Sequence, residues 1–128
     1  MIVDSSALVA ITMKEPGSDG LIHTLASASH TGIGTPTLVE LGIVLTGRLR
    51  TDARPLVTRL IDEFEIAEVA FGGEHWREAL NAFQRYGRGR HPAQLNFGDC
   101  QTYAVARLAD EPLLFVGEDF AATDLEAA

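Results

Sequence analysis

The chain has 128 residues, 46 % hydrophobic and 22 % charged, which is the size and composition of one globular domain, here residues 1–128. Lys and Arg number 10 against 18 Asp and Glu, and the formal net charge of −8 excludes a uniformly basic surface for nucleic acid. Cys100 is the only cysteine, so an internal disulfide and a cysteine zinc cluster are excluded. With no basic flank before the apolar first residues and no apolar run of roughly 20 residues, we expect a cytoplasmic protein without a membrane segment.

Short apolar runs and helical periodicity predict strands that alternate with helices along the chain. A strand at residues 2–3 ends in Asp4-Ser5-Ser6, which is typical of the cap of a following helix. Later helices are predicted over residues 19–29, 37–49, 53–65, 74–86 and 99–109, and later strands over residues 66–71 and 113–116. Residues 31–34 are predicted as a break between two helices, and residues 87–98, with three glycines and one proline, as a loop. This order favours an α/β domain with a mostly parallel sheet.

Two of the helices carry predictions about burial. The helix over residues 37–49 is apolar on nearly every side, so we expect it to be covered all round. The helix over residues 74–86 has Trp76, Leu80 and Phe83 at helical spacing, and these side chains are predicted to point inward.

Four acidic residues stand out by their context: Asp4 after the first strand, Glu40 inside the apolar helix, Asp99 at a helix start and Asp119 after the last strand. Ionised carboxylates brought together repel one another and raise one another's pKa values unless a cation lies among them. Mg²⁺ and Mn²⁺ prefer oxygen ligands and keep waters for substrate phosphates. The pattern therefore predicts metal-assisted phosphoryl chemistry.

Each acid also has a simpler structural interpretation. Asp4 and Asp99 are ordinary helix N-cap residues, Thr37 and Glu40 match a capping box, and Asp119 fits a turn. For the fourth position, Glu118 and Asp124 compete with Asp119. We favour Asp119 because it lies between a strand end and Phe120, a candidate core anchor, whereas Asp124 is nearer the terminus.

A short basic segment precedes the helix that carries Asp99. It contains Arg85, Arg88 and Arg90 and no acid, and arginine binds phosphate with two parallel hydrogen bonds. A flexible basic arm beside an acidic metal site is a plausible RNA clamp. The alternative is a solvated turn between two helices.

Four stretches together resemble the PIN-domain ribonucleases, and most closely the VapC toxins of toxin–antitoxin pairs. They are residues 1–7 (Met-Ile-Val-Asp-Ser-Ser-Ala), the helical Glu40, residues 86–100 from Tyr-Gly-Arg-Gly-Arg-His to Leu-Asn-Phe-Gly-Asp-Cys, and residues 113–120 (Leu-Leu-Phe-Val-Gly-Glu-Asp-Phe). The resemblance spans the whole chain in the family's order. It implies a three-layer α/β/α sandwich with a central mostly parallel sheet, a Mg²⁺ or Mn²⁺ site, and endonucleolytic cleavage of RNA.

The resemblance also implies roles for single residues. Asp4 and Asp99 match the family's metal-binding acids, Glu40 its helical acid and Asp119 its late acid, while Ser5 or Ser6 matches a hydroxyl that supports the first acid. The implied partners are an RNA substrate, a cognate VapB-type antitoxin that blocks the acidic pocket, and a second copy in a homodimer.

Two other functions are compatible with the residues alone. One is a non-catalytic α/β domain that binds a protein partner, in which the acids are helix caps. The other is a metal-dependent phosphatase that acts on small substrates.

Overall fold

Strands and helices alternate along the chain in the computed structural model, which describes all 128 residues. The strands are β1 (Ile2–Val3), β2 (Thr31–Gly34), β3 (Ile66–Val69) and β4 (Leu113–Leu114). The helices are α1 (Ser5–Thr12), α2 (Ser18–Ser27), α3 (Thr35–Leu49), α4 (Arg54–Glu63), α5 (Gly73–Tyr86) and α6 (Phe97–Ala109). A short 3₁₀ turn, Phe120–Ala122, follows β4. None of the helices is both long and apolar enough to span a bilayer.

The four strands are all parallel and lie in the order β3-β2-β1-β4. From β1 the chain builds the sheet in one direction through β2 and β3, and then crosses to the other side of β1 to add β4. The order therefore reverses at β1, and in open α/β sheets the ligand crevice lies at such a reversal, beyond the carboxyl ends of the strands. Asp4, the residue directly after β1, lies at this point.

Two hydrophobic cores cover the two faces of the sheet. One core joins α5 and α6 to the sheet through Ile2 and Leu113, and it includes Phe120 as an anchor. The other joins α1, α2, α3 and α4 to the sheet through Val3 and Leu114. Consecutive strand residues thus face opposite cores, as the pleat of a strand requires. The predicted three-layer α/β/α sandwich is confirmed.

Residues 31–34 form a central strand, so their prediction as a break between helices is wrong. The Thr-Gly-Ile-Gly sequence has low strand propensity, but the space around it is too tight for larger side chains. A Cβ placed on Gly34 would lie 2.8 Å from Val105 Cγ2 of α6. Gly34 therefore permits close packing of α6 against the sheet, and Gly32 leaves room for the side chains of Val69 and Ile2.

The two predictions about helix burial are also wrong. In α3, Val39 and Ile43 are 62 % and 68 % exposed, because an outer-layer helix buries only the face that meets the sheet. In α5, Trp76, Leu80 and Phe83 are exposed as well, and alanines supply the buried face of that helix. With Phe97 of α6 these three side chains line an apolar groove between α5 and α6.

Candidate active site

Asp4 is a buried carboxylate held by two donors. Its Oδ2 accepts from the backbone N–H of Ser6 at 3.0 Å, so the predicted capping of α1 is confirmed. Its Oδ1 accepts from the hydroxyl of Thr102 in α6 at 2.9 Å, and Asp4 is only 5 % exposed. Each oxygen keeps one lone pair free for a further ligand.

Glu40 reaches from α3 toward two other elements. Ser5 Oγ donates to Glu40 Oε1 at 2.5 Å, and the Glu40 carboxylate lies so close to Gly98 that a Cβ there would overlap it. The capping-box interpretation is wrong, because α3 begins at Thr35 after an N-cap at Gly34. Glu40 is therefore directed at Ser5 and the first turn of α6 and away from the end of its own helix.

Asp99 lies in the first turn of α6. Asn96 is the N-cap of this helix, so the interpretation of Asp99 as the N-cap is wrong; Asp99 is instead the third helical residue of a capping box. Asn96 Oδ1 accepts from the Asp99 N–H at 2.9 Å, and Asp99 Oδ2 accepts from the Asn96 N–H at 3.1 Å.

The charges of the other three acids act on Asp99. Burial raises the pKa of Asp99 to about 6, and the charges of Asp4, Asp119 and Glu40 add to the rise against the opposing Asn96 N–H bond. The structure thus places Asp4, Glu40 and Asp119 within electrostatic range of Asp99.

Asp119 and Asp124 have different surroundings. Asp119 is exposed after β4, and its charge acts on Asp99. Asp124 instead accepts from Tyr103 Oη at 2.6 Å and lies 3.5 Å from Arg85, and these contacts, the Tyr103 bond first, lower its pKa. Asp124 is thus engaged elsewhere, and the geometry favours Asp119 over it; Glu118 is exposed at the surface.

The chemistry of these side chains suits a hard divalent cation. All four are carboxylates, and burial followed by the charges of the other three raises the pKa of Asp99, a rise that a nearby cation would oppose. In their present conformations, no three or more His, Cys, Asp or Glu side chains lie close enough together to enclose a metal ion. Glu40 is bonded to Ser5, and Asp99 to the Asn96 amide. A cation that keeps several waters does not need every acid in direct contact.

Serine and threonine hydroxyl groups form hydrogen bonds at and beside the acids. Ser5 bonds Glu40, and Ser6 Oγ accepts from the Val116 N–H at 3.0 Å, which ties the segment after β4 to the start of α1. Both serines were candidates from the sequence, whereas Thr102 and Thr37 were missed. The sequence feature that could have identified them is their spacing from the acids. Each threonine lies three residues from an acid on the same helix, Thr37 before Glu40 and Thr102 after Asp99.

The basic segment is a folded loop, so its description as a flexible arm is wrong. The Arg88 N–H donates to Leu95 O at 3.0 Å, and the Leu95 N–H donates to Tyr86 O at 2.9 Å, which closes the loop at its base. The Arg85 guanidinium bonds Tyr86 Oη and lies beside Asp124, away from the acidic site. Arg88 and Arg90 are exposed, and Arg90 lies over the Phe83 ring at one wall of the apolar groove.

Known proteins are similar to this chain in sequence. The PIN-domain profile matches residues 1–126. Ribonuclease VapC36 of Mycobacterium tuberculosis is 46 % identical over 127 residues, which cover 98 % of this chain and 91 % of the relative. Ribonuclease VapC42 of the same organism is 42 % identical over 129 residues, covering 100 % and 98 %.

Solved structures agree in fold. VapC20 of M. tuberculosis, a toxin that cleaves the sarcin-ricin loop, superposes with a TM-score of 0.80 at 15 % identity, covering 99 % of this chain and 97 % of that one. A toxin–antitoxin complex from Klebsiella pneumoniae gives a TM-score of 0.71 at 15 % identity, covering 96 % and 92 %. This chain thus has the fold of these two structures.

This chain belongs to the PIN-domain family, within its group of VapC ribonucleases. The resemblance seen in the sequence and the predicted ribonuclease activity are confirmed. This assignment displaces the protein-binding domain and the small-substrate phosphatase.

Proposed function

We propose that this VapC ribonuclease cleaves RNA as the toxin of a toxin–antitoxin pair, and that its activity depends on Mg²⁺ or Mn²⁺ held by Asp4, Glu40, Asp99 and Asp119. The observation that carries the proposal is the buried Asp4 carboxylate, which lies directly after β1 at the reversal point of a parallel sheet and acts on Asp99 together with Glu40 and Asp119. We propose that the protein acts in the cytoplasm, where it would meet its RNA substrate.

The chain's own groups prepare the site for this chemistry. Asp4 and Asp99 would hold the cation, Ser5 orients Glu40 by a hydrogen bond, and Asp119, in the segment after β4, would add negative charge. Such a cation supplies positive charge for the scissile phosphate and lowers the pKa of a bound water. The fixed side chains keep the site arranged before substrate arrives, which lowers the reorganisation needed for the reaction.

The test is cleavage of a short RNA by matched variants. Asp4→Asn and Asp99→Asn keep the size of the side chain and remove its charge, so each is expected to reduce the rate by about 100-fold or more. Asp62→Asn, an exposed acid on α4, is the matched control and should cleave at the parent rate. Chelation of divalent cations should stop the parent, and Mn²⁺ should restore it. Parent-like cleavage by a folded Asp99→Asn variant would contradict the assignment.

We also propose that Arg88 and Arg90 bind the RNA backbone. Both are exposed on a closed loop that leads into α6, whereas Arg85 is engaged by Asp124. Replacing the two residues with alanine should weaken RNA binding and reduce the slope of log affinity against log salt by about 2, without changing cation affinity. The charge-matched control replaces Arg48 and Arg59 on α3 and α4. An unchanged slope in the loop variant would identify the loop as a solvated turn.

The proposed protein partners are a VapB-type antitoxin and a second copy of this chain. Family membership supports the first, and the exposed apolar side chains of α3 and α5 are compatible with the second. Co-expression with a VapB-type antitoxin that binds this chain should give a complex that does not cleave RNA. Sedimentation at several concentrations should show a dimer; a monomer throughout would remove the homodimer from the proposal.

A further inference from the structure

Two buried threonine hydroxyls connect the elements that carry three of the acids. Thr102 Oγ1 in α6 lies 2.9 Å from Asp4 Oδ1 and 3.0 Å from Thr37 Oγ1 in α3. Thr102 is 1 % exposed and Thr37 is 3 % exposed, so neither hydroxyl has ready access to bulk water. The pair therefore links the end of β1 to α3 and α6 inside the molecule.

The direction of these hydrogen bonds follows from the chemistry of the groups. The ionised Asp4 carboxylate only accepts, so Thr102 donates its single hydroxyl proton to Asp4. The Thr102 oxygen then accepts, and Thr37 donates to it. This chain of two hydrogen bonds orders both hydroxyls without using any positive charge.

Helical spacing relates the two threonines of this hydrogen-bond chain to Glu40 and Asp99. Thr37 precedes Glu40 by three residues on α3, and Thr102 follows Asp99 by three residues on α6, so each threonine shares a helix face with an acid. The same bonds that hold Asp4 thus fix the relative positions of the two helices. Gly98 permits this approach, because any Cβ there would overlap the Glu40 carboxylate.

We propose that Thr102, oriented by Thr37, is a positioning residue for the cation site: it holds Asp4 for cation binding and locks α3 to α6. The inference rests on the proposed metal-dependent function. It assigns a role to two residues that touch neither the substrate nor the cation.

The first experiment measures Mn²⁺ binding to the protein alone by titration calorimetry at pH 8. Thr102→Val keeps the shape of the side chain and removes its hydroxyl, and we expect the dissociation constant to rise about 10- to 100-fold, as when other partners of metal ligands are removed. Thr102→Ser restores the hydroxyl and should remain within about 3-fold of the parent. Thr37→Val should give an intermediate rise, because Asp4 keeps its donor but that donor loses the bond that orients it.

Thr31→Val is the matched control. Thr31 is also buried, but it lies at the start of β2, at the opposite end of the sheet from Asp4. It should bind Mn²⁺ like the parent. Circular dichroism and urea unfolding verify the fold of each variant, and Thr37→Val carries the test if Thr102→Val does not fold.

The second experiment measures RNA cleavage against Mn²⁺ concentration. A positioning defect should shift the Thr102→Val curve to higher Mn²⁺, and saturating Mn²⁺ should recover most of the parent kcat. A folded Thr102→Val variant with the parent's Mn²⁺ affinity would overturn the inference while leaving the metal-dependent function intact, and so would a serine variant as weak as the valine variant. Absence of Mn²⁺ binding by the parent would overturn both.

Discussion

Replacing Asp99 with asparagine should stabilise the cation-free protein while abolishing its activity. In the folded chain, burial and three neighbouring carboxylates raise the pKa of Asp99 from 3.8 to about 6. The folded chain therefore binds this proton more tightly than the unfolded chain, and ionisation costs stability as pH rises from about 4 to 6. Asparagine at this position carries no charge and still offers an oxygen to the Asn96 N–H, so the capping box is kept.

The size of the effect follows from the pKa difference. At 1.36 kcal/mol per pH unit, the change from 3.8 to about 6 corresponds to about 3 kcal/mol at neutral and higher pH. Asp99 is partly accessible to solvent, which screens part of this cost, so we expect a gain of about 1 to 3 kcal/mol. For a chain of this length, each kcal/mol shifts the melting temperature by roughly 3 to 5 °C.

The assay is urea unfolding of parent and Asp99→Asn protein in buffer free of divalent cations. The variant should be more stable at pH 8, and its advantage should shrink to less than about 1 kcal/mol at pH 4, where the folded parent is already protonated. An equal or lower stability of the variant at pH 8 would refute the reasoning. A gain in the free energy of unfolding that does not depend on pH would also refute it, because such a gain would not come from removal of the Asp99 charge.

Three further outcomes follow from the same contacts. Because protons compete with cations for Asp99, Mn²⁺ affinity measured by calorimetry should fall about tenfold between pH 8 and pH 5, and a flat profile would exclude Asp99 as a ligand. Gly98→Ala should displace the Glu40 carboxylate and reduce both Mn²⁺ affinity and RNA cleavage by about tenfold or more, whereas parent-like values would show that Glu40 moves freely. Tyr103→Phe removes the donor to Asp124 and should lower the free energy of unfolding by about 1 to 2 kcal/mol without changing cleavage; a loss of cleavage in a folded variant would place Asp124 in the site.

The parts of the fold that sequence reasoning found are those with a local signal. Strong helical periodicity and capping residues located the helices, and the apolar run of β4 was visible next to its turn. The strand β2 has no such signal, because its two glycines have low strand propensity and fit the close packing of Val105 at Gly34 and of Val69 and Ile2 at Gly32. The outward faces of α3 and α5 were misjudged for a related reason: an apolar side chain on a helix does not reveal whether the fold or a partner covers it.

The acids were predictable and their supports were not. Asp4 and Asp119 follow strands, and the carboxyl ends of parallel strands meet at one edge of the sheet. The bond from Thr102 to Asp4 joins residues 98 positions apart, and the spacing of Thr102 from Asp99 on α6 does not reveal this bond to Asp4. Such a contact depends on how α6 packs against β1, which becomes known only with the tertiary structure.

The four site acids differ from Asp52, Glu111 and Asp124 in the charge of their hydrogen-bond and ion-pair partners. Asp124 is bonded to Tyr103 and lies beside Arg85, Asp52 is bonded to Arg54, and Glu111 is bonded to His30 and the terminal amine; each of these three acids has a positive partner and a lowered pKa. The donors to Asp4, Glu40 and Asp99 are hydroxyls and backbone N–H groups, and no ion pair of the chain involves the site acids. Neutral donors orient a carboxylate without cancelling its charge. The net charge of −8 is therefore compatible with a polyanionic substrate, because the site acids have no positive partner in the chain and the proposed cation would supply the positive charge that meets the phosphate.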